Sequence, residues 1–81
     1  GKKSIVTTLK KGGLIMLYQV QRQRTAGAYI GIRVCNSHEE AVRYLRDIAA
    51  EYPDRPYDGG DKWQTSNNVH NVDRYRIVTL Q

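Results

Sequence analysis

The chain has 81 residues, of which 40% are hydrophobic and 26% charged, and its 13 Lys and Arg against eight Asp and Glu give a net charge of +5. A chain of this length forms one domain with a modest core, which leaves no room for a large buried catalytic cavity. No apolar run approaches the roughly 20 residues of a membrane-spanning helix, so the composition excludes a protein of that kind.

The first half of the chain predicts three β-strands. Ile5 to Leu9 is short and β-branched, and the turn sequence KKGG follows it. Leu14 to Gln23 is a longer strand, and the next turn, Thr25-Ala26-Gly27, ends on a glycine that can adopt a positive φ. A third strand is predicted from Ala28 to Cys35.

The third strand has the sharpest alternation in the chain. Its apolar set is predicted to face the core and consists of Ala28, Ile30, Ile32 and Val34. Tyr29 and Arg33 then lie on the opposite face of the sheet. One register of the hairpin places Gln19, Gln21 and Gln23 of the preceding strand beside them.

A helix follows the third strand. Ser37 is the predicted N-cap, and Glu40, three residues later, completes a capping box. The helix carries an apolar stripe that consists of Ala41, Leu45, Ile48, Ala49 and Tyr52, and Pro53 follows its end. Its spacing predicts one face packed on the sheet.

The last third of the chain predicts a long polar loop over residues 54–71, with a short strand or turn near Trp63, and then a terminal strand from Val72 to Leu80. Two assignments of that strand are open: either Tyr75 and Ile77 are core and the arginines point outward, or Val78 and Leu80 are buried. The element order β-β-β-α-β predicts a single α+β domain over residues 1–81. We expect a mostly antiparallel sheet of three to four strands with one helix packed on a face.

Groups that could carry catalysis are sparse. Cys35, His38 and His70 lack the close spacing of a zinc site. A helix N-terminus can lower the pKa of a nearby thiol, although a lone cysteine at a strand end is more often inert. We therefore expect no enzyme, no cofactor and no metal site. The single cysteine also favours a reducing, cytoplasmic location.

Basic and amide side chains favour a nucleic-acid partner, either DNA or RNA. The predicted binding residues are Lys10, Lys11, Gln19, Gln21, Arg22, Gln23, Arg24, Tyr29 and Arg33. Arginine and glutamine can bond guanine and adenine edges, and basic residues at the turns can neutralise phosphates. A solvated sheet face made of long polar side chains explains the same pattern about equally well.

The segment YQVQRQR, followed by GIRVCNSHEEAVRYLRDIAAEY, resembles the AP2/integrase arm-type DNA-binding domains over half of the chain. The resemblance implies a three-stranded sheet that lies in the major groove. It also implies DNA contacts from Gln19, Gln21, Arg22, Arg24 and Arg33.

A second, local resemblance is carried by YLRDI at residues 44–48 and YDGGDK at residues 57–62. These segments are similar to part of the small phage-borne anti-CRISPR proteins that inhibit Cas9. This resemblance implies an alternative function, a phage or mobile-element accessory protein that inhibits a protein partner. The residues predicted to bind a protein in that case are Arg43, Arg46, Tyr57 and Trp63. The two aromatic side chains are expected to be exposed in the loop, although a lone tryptophan in a small domain more often covers the edge of the core.

Overall fold

The computed structural model describes residues 16–80, which form four strands and one helix. In chain order these are β1 (Leu17–Arg24), β2 (Tyr29–Cys35), α1 (His38–Ala49), β3 (Lys62–Gln64) and β4 (Asp73–Leu80). The strands form one antiparallel sheet in the order β2-β1-β4-β3. The α+β class is confirmed. The predicted strand from Ile5 to Leu9 lies outside the described residues.

The polar stretch between α1 and β4 contains the short strand that the sequence predicts near Trp63. This strand, β3, pairs with β4, and Trp63 aligns with Tyr75. The pairing adds a fourth strand at the edge of the sheet.

The helix packs on one face of the sheet through the predicted apolar stripe. Ala41, Leu45 and Ala49 are buried, and Ile48 is partly buried against the same core. The Ser37 side chain accepts a hydrogen bond from Glu40 N at 3.0 Å, which confirms the N-cap and contributes about 1 kcal/mol. No helix of the described residues is long and apolar enough to cross a membrane.

An aromatic cluster fills the core at the β3 edge of the sheet. Trp63 is only 9% exposed, and its ring lies 5.6 Å from Tyr52, 6.5 Å from Tyr57 and 5.8 Å from Tyr75. Its indole N–H donates to the Arg55 carbonyl oxygen at 2.8 Å. Because the polar atom is bonded and the ring is covered, this tryptophan is a core residue.

A β-bulge divides β2 and corrects the predicted alternation. Val20 aligns with Arg33, whereas Gln21 aligns with Gly31, so Ile32 is an extra residue in β2. Because of this extra residue, the side chains from Arg33 to Cys35 lie on the faces of the sheet opposite to those that a regular alternation predicts. Cys35 is 1% exposed in the core, while Val34, expected to be buried, is 47% exposed.

Of the three predicted core residues that follow Ala28, only Ile32 packs against the core. Ile30 aligns with Arg22 on the helix side, as expected, but is 52% exposed near the hairpin turn. The turn also differs from expectation. The positive φ of 43° belongs to Thr25 rather than to Gly27, and Thr25 N is held by the Val72 carbonyl oxygen at 2.8 Å. This conformation costs a β-branched residue about 1–2 kcal/mol.

The faces of β4 are settled by its pairing with β1 in the middle of the sheet. Val20 of β1 aligns with Ile77, and both side chains are buried under the helix. Tyr75 is buried on the same side. The first of the two predicted assignments is therefore correct, and Arg74 and Arg76 point to the opposite face.

Candidate nucleic-acid interface

The sheet side away from α1, which we call the open face, gathers side chains from all four strands. Its members are Leu17, Gln19, Gln21 and Gln23 of β1, Tyr29, Gly31 and Val34 of β2, Lys62 and Gln64 of β3, and Arg74, Arg76, Val78 and Leu80 of β4. Successive side chains of a strand point to opposite faces, so these positions lie away from the buried core. The amide row of β1 lies between the cations of β4 and the tyrosine of β2.

Amide and guanidinium groups form an ordered network on the open face. Gln21 Nε2 donates to Gln19 Oε1 at 2.8 Å, and Arg76 Nε donates to Gln21 Oε1 at 2.7 Å. Arg74 Nη1 donates to Gln23 Oε1 at 3.4 Å. The long side chains are therefore held across the sheet by one another.

Two further features order the side chains of the open face. The guanidinium carbon of Arg76 lies 3.8 Å from the centroid of the Tyr29 ring, a close cation–π contact. Gly31 leaves room for Gln19, because a Cβ at that glycine would overlap the Gln19 amide group. The glycine thus lets the amide lie over the strand instead of standing away from it.

The acidic residues of the molecule lie away from the open face. All eight Asp and Glu of the chain lie among the described residues, and none occupies an open-face position. They are Glu39, Glu40 and Asp47 on α1, Glu51, Asp54, Asp58 and Asp61 before β3, and Asp73 on the helix side of β4. Asp58 shares a shallow groove with Lys62 at the sheet edge. The separation is therefore clearest at Arg74 and Arg76.

The predicted nucleic-acid-binding residues are only partly brought together. Gln19, Gln21, Gln23 and Tyr29 share the open face. Lys10 and Lys11 lie outside the described residues. Arg22, Arg24 and Arg33 lie on the helix side, because the strand register places them there.

Arg22 and Arg24 alternate with the glutamines, so they must point to the opposite side of β1. Arg24 Nε lies 3.8 Å from a carboxylate oxygen of Asp73, and Arg22 aligns with the buried Tyr75 of β4. Arg33 was expected beside Tyr29, but the bulge turns it to the helix side, where it lies 5.1 Å from the Tyr44 ring. The expectation that Arg33 lies on the open face is therefore wrong, whereas phosphate contacts from Arg22 and Arg24 at the turn remain a prediction.

The open face also contains residues that were not in the predicted set. Arg74 and Arg76 depended on the undecided face of the last strand. Lys62 and Gln64 belong to a strand of three residues, which is too short to show a period in the sequence.

The alternative protein-binding residues do not form one surface. Trp63 and Tyr57 are each 9% exposed, and the Tyr57 hydroxyl donates to the Gly60 carbonyl oxygen at 2.6 Å. The expectation of an exposed Tyr57 is therefore wrong, and of the two placements open for Trp63 the structure shows the one at the edge of the core. Arg43 and Arg46 are exposed on α1, with the Arg46 guanidinium 5.3 Å from the Tyr57 ring.

The groups considered for catalysis are separated by burial and pairing. Burial raises the pKa of the Cys35 thiol, with a further increase from Glu40, against the lowering that a helix N-terminus could give. His38 Nε2 lies 2.6 Å from Asp61 Oδ1 on the surface. Among residues 16–80, no three His, Cys, Asp or Glu side chains are placed to hold a metal ion.

Comparison of the chain with protein-family models, with curated proteins and with solved structures gives no match. The resemblances in the sequence remain predictions. Function therefore has to be inferred from the chemistry of the open face.

Proposed function

We propose that this protein is a small non-catalytic module that binds DNA or RNA through the open face. The observation that supports the proposal is that no acidic residue occupies a position on the open face. Arg74 and Arg76 point to a side that bears no carboxylate position, whereas Arg24 on the other side has Asp73 as a partner. A single-sign surface attracts a polyanion, because no internal anion competes for its cations.

The open-face arginines also retain donors for a ligand. Arg76 uses its Nε atom on Gln21, and neither of its Nη atoms has a hydrogen bond within residues 16–80. The network fixes the guanidinium plane before any ligand arrives, so less side-chain entropy is lost on binding. Phosphate oxygens are suitable acceptors for such a group.

A cytoplasmic location is part of the proposal. Cys35 is a free thiol buried in the core, which is the state that a reducing compartment maintains. DNA and RNA are available partners in that compartment.

The proposal is tested by titrating fluorescently labelled DNA and RNA and following anisotropy at several salt concentrations. The double variant Arg74→Gln/Arg76→Gln should weaken binding at least about tenfold and reduce the salt dependence by about two phosphate contacts. The matched control is Arg43→Gln/Arg46→Gln on α1, which loses the same charge from the other side. Circular dichroism establishes that both variants are folded.

Two results would contradict the proposal. One is the absence of binding to either nucleic acid at low salt. The other is an equal loss of affinity in the two double variants, which would show that total charge matters and the open face does not.

A further inference from the structure

The polar row of the open face is wider than the major groove of a DNA duplex. Gln64 aligns with Arg74, Arg74 with Gln23, and Gln23 with Tyr29, so one row crosses all four strands. Adjacent strands lie about 4.8 Å apart, which gives a width of about 14 Å between the outer backbones. The groove is about 12 Å wide and admits a helix or a two-stranded ribbon. The whole row cannot reach base edges at the floor of the groove.

The glutamines are also poorly prepared to read base edges. Adenine recognition uses the amide oxygen and nitrogen of one glutamine together. In Gln21 both atoms are already bonded, to Arg76 and to Gln19. In Gln23 the nitrogen donates to the Gly27 carbonyl oxygen at 2.8 Å and the oxygen accepts from Arg74. Reading a base would require the network to break.

The same network presents flat groups instead. Arg76 lies over the Tyr29 ring, and both side chains are half-buried, so each retains exposed surface. Nucleobases stack on aromatic rings and on guanidinium planes when they are not already stacked in a duplex. Stacking tolerates any base, since every base has a π-face.

Resting on the proposed function, we infer that the ligand of the open face is single-stranded nucleic acid. A base stacks on the exposed surface of the Tyr29–Arg76 pair, and Arg74 and Lys62 contact the phosphates on either side. The binding depends little on the base sequence, because the glutamine amides hold Arg74 and Arg76 in place and do not select a base.

The test compares oligonucleotides of about ten residues, within the range of single-strand binding sites. Single-stranded DNA, single-stranded RNA and the matching DNA duplex are titrated against the wild-type protein and Tyr29→Leu. We expect both single strands to bind more tightly than the duplex. Tyr29→Leu should weaken single-strand binding at least about fivefold, with a smaller effect on the duplex.

The matched control is Tyr44→Leu, which removes the ring of an arginine–tyrosine pair on the helix side, that of Arg33 and Tyr44. It should leave single-strand affinity unchanged, provided that circular dichroism shows a folded protein. If one sugar is preferred, the tighter of the two single strands identifies the ligand, and both outcomes support the inference.

Tighter binding of the duplex would overturn the inference while the proposed function stands. An unchanged single-strand affinity in folded Tyr29→Leu would also overturn it. Absence of binding to all three oligonucleotides at low salt would instead contradict the proposed function itself.

Discussion

An arginine lies against a tyrosine ring on each side of this sheet, in opposite surroundings. On the helix side, Arg33 lies 5.1 Å from Tyr44 and shares a shallow groove with Glu40 and Asp47. On the open face, Arg76 lies 3.8 Å from Tyr29, at positions that have no carboxylate neighbour in the strand register. Arg33 therefore has acidic neighbours within its own protein. Arg76 has none in the strand register, so under the proposed function a phosphate of the ligand would balance its charge.

The two sides also differ in what they contribute to stability. The helix side buries Val20, Leu45 and the aromatic cluster around Trp63. The open face holds half-buried polar side chains whose bonds to one another exchange for bonds to water on unfolding, so their net contribution is small. Removing a large side chain should therefore have very different effects on the two sides.

The largest effect is expected for Trp63→Ala. Loss of a buried aromatic side chain costs about 3–5 kcal/mol, which is a large part of the total for a small domain. Urea denaturation followed by circular dichroism measures the change without relying on tryptophan fluorescence. Tyr29→Leu is the comparison on the open face and should cost far less. Similar losses in the two variants would mean that the open face is a structural layer.

The next effect is a loss of stability at alkaline pH that originates on the helix side. Burial raises the pKa of Cys35, Tyr57 and Tyr75. An acid whose pKa is higher in the folded state holds its proton more tightly there. Its contribution is complete below the unfolded pKa and is lost as the pH rises through the folded pKa.

We therefore expect the urea midpoint to fall between pH 7 and about pH 10, where thiols and phenols begin to ionise. Three groups act together, but each is only partly ionised, so the loss should be smaller than that of Trp63→Ala. Tyr57→Phe removes one of the three groups and should reduce the dependence on pH. A midpoint that does not change over this range would show that these groups are accessible to solvent in the folded protein.

The helix side of the sheet is the part of the fold that the sequence predicts better. The helix stripe has a clear period, and its cap uses the residue types that capping requires, so Ser37, Ala41, Leu45 and Ala49 all take their predicted roles. For Trp63 the sequence leaves an exposed and a core-edge placement open, because a polar local sequence carries no information about the distant side chains that cover it.

The open face was less predictable, because its composition depends on pairing between strands. In β4 both alternating sets contain apolar residues, and only alignment with Val20 decides which set is buried. In β2 the bulge exchanges the sides of the strand and moves Arg33 to the helix side. A bulge is a property of two strands, and a pattern of period two in one strand does not reveal it.

The smallest effect is expected for Gly31→Ala, which tests whether the side chains of the open face are ordered. In Gly31→Ala the new methyl group meets the Gln19 amide, the end of a flexible side chain, so the amide must move and its bond with Gln21 is lost. One lost hydrogen bond and a stiffer unfolded chain nearly cancel, and stability should stay within about 1 kcal/mol of the wild type.

The side-chain amide resonances of Gln19 and Gln21 report this change directly by NMR. They should shift in Gly31→Ala, while backbone resonances on α1 stay in place. The double variant Gln19→Ala/Gly31→Ala provides the control, because the methyl group then has no amide to displace and should add no cost beyond that of Gln19→Ala. Unshifted amide resonances in Gly31→Ala would mean that the glutamines already move freely in solution, and the contrast between an ordered open face and an ordinary solvated one would disappear.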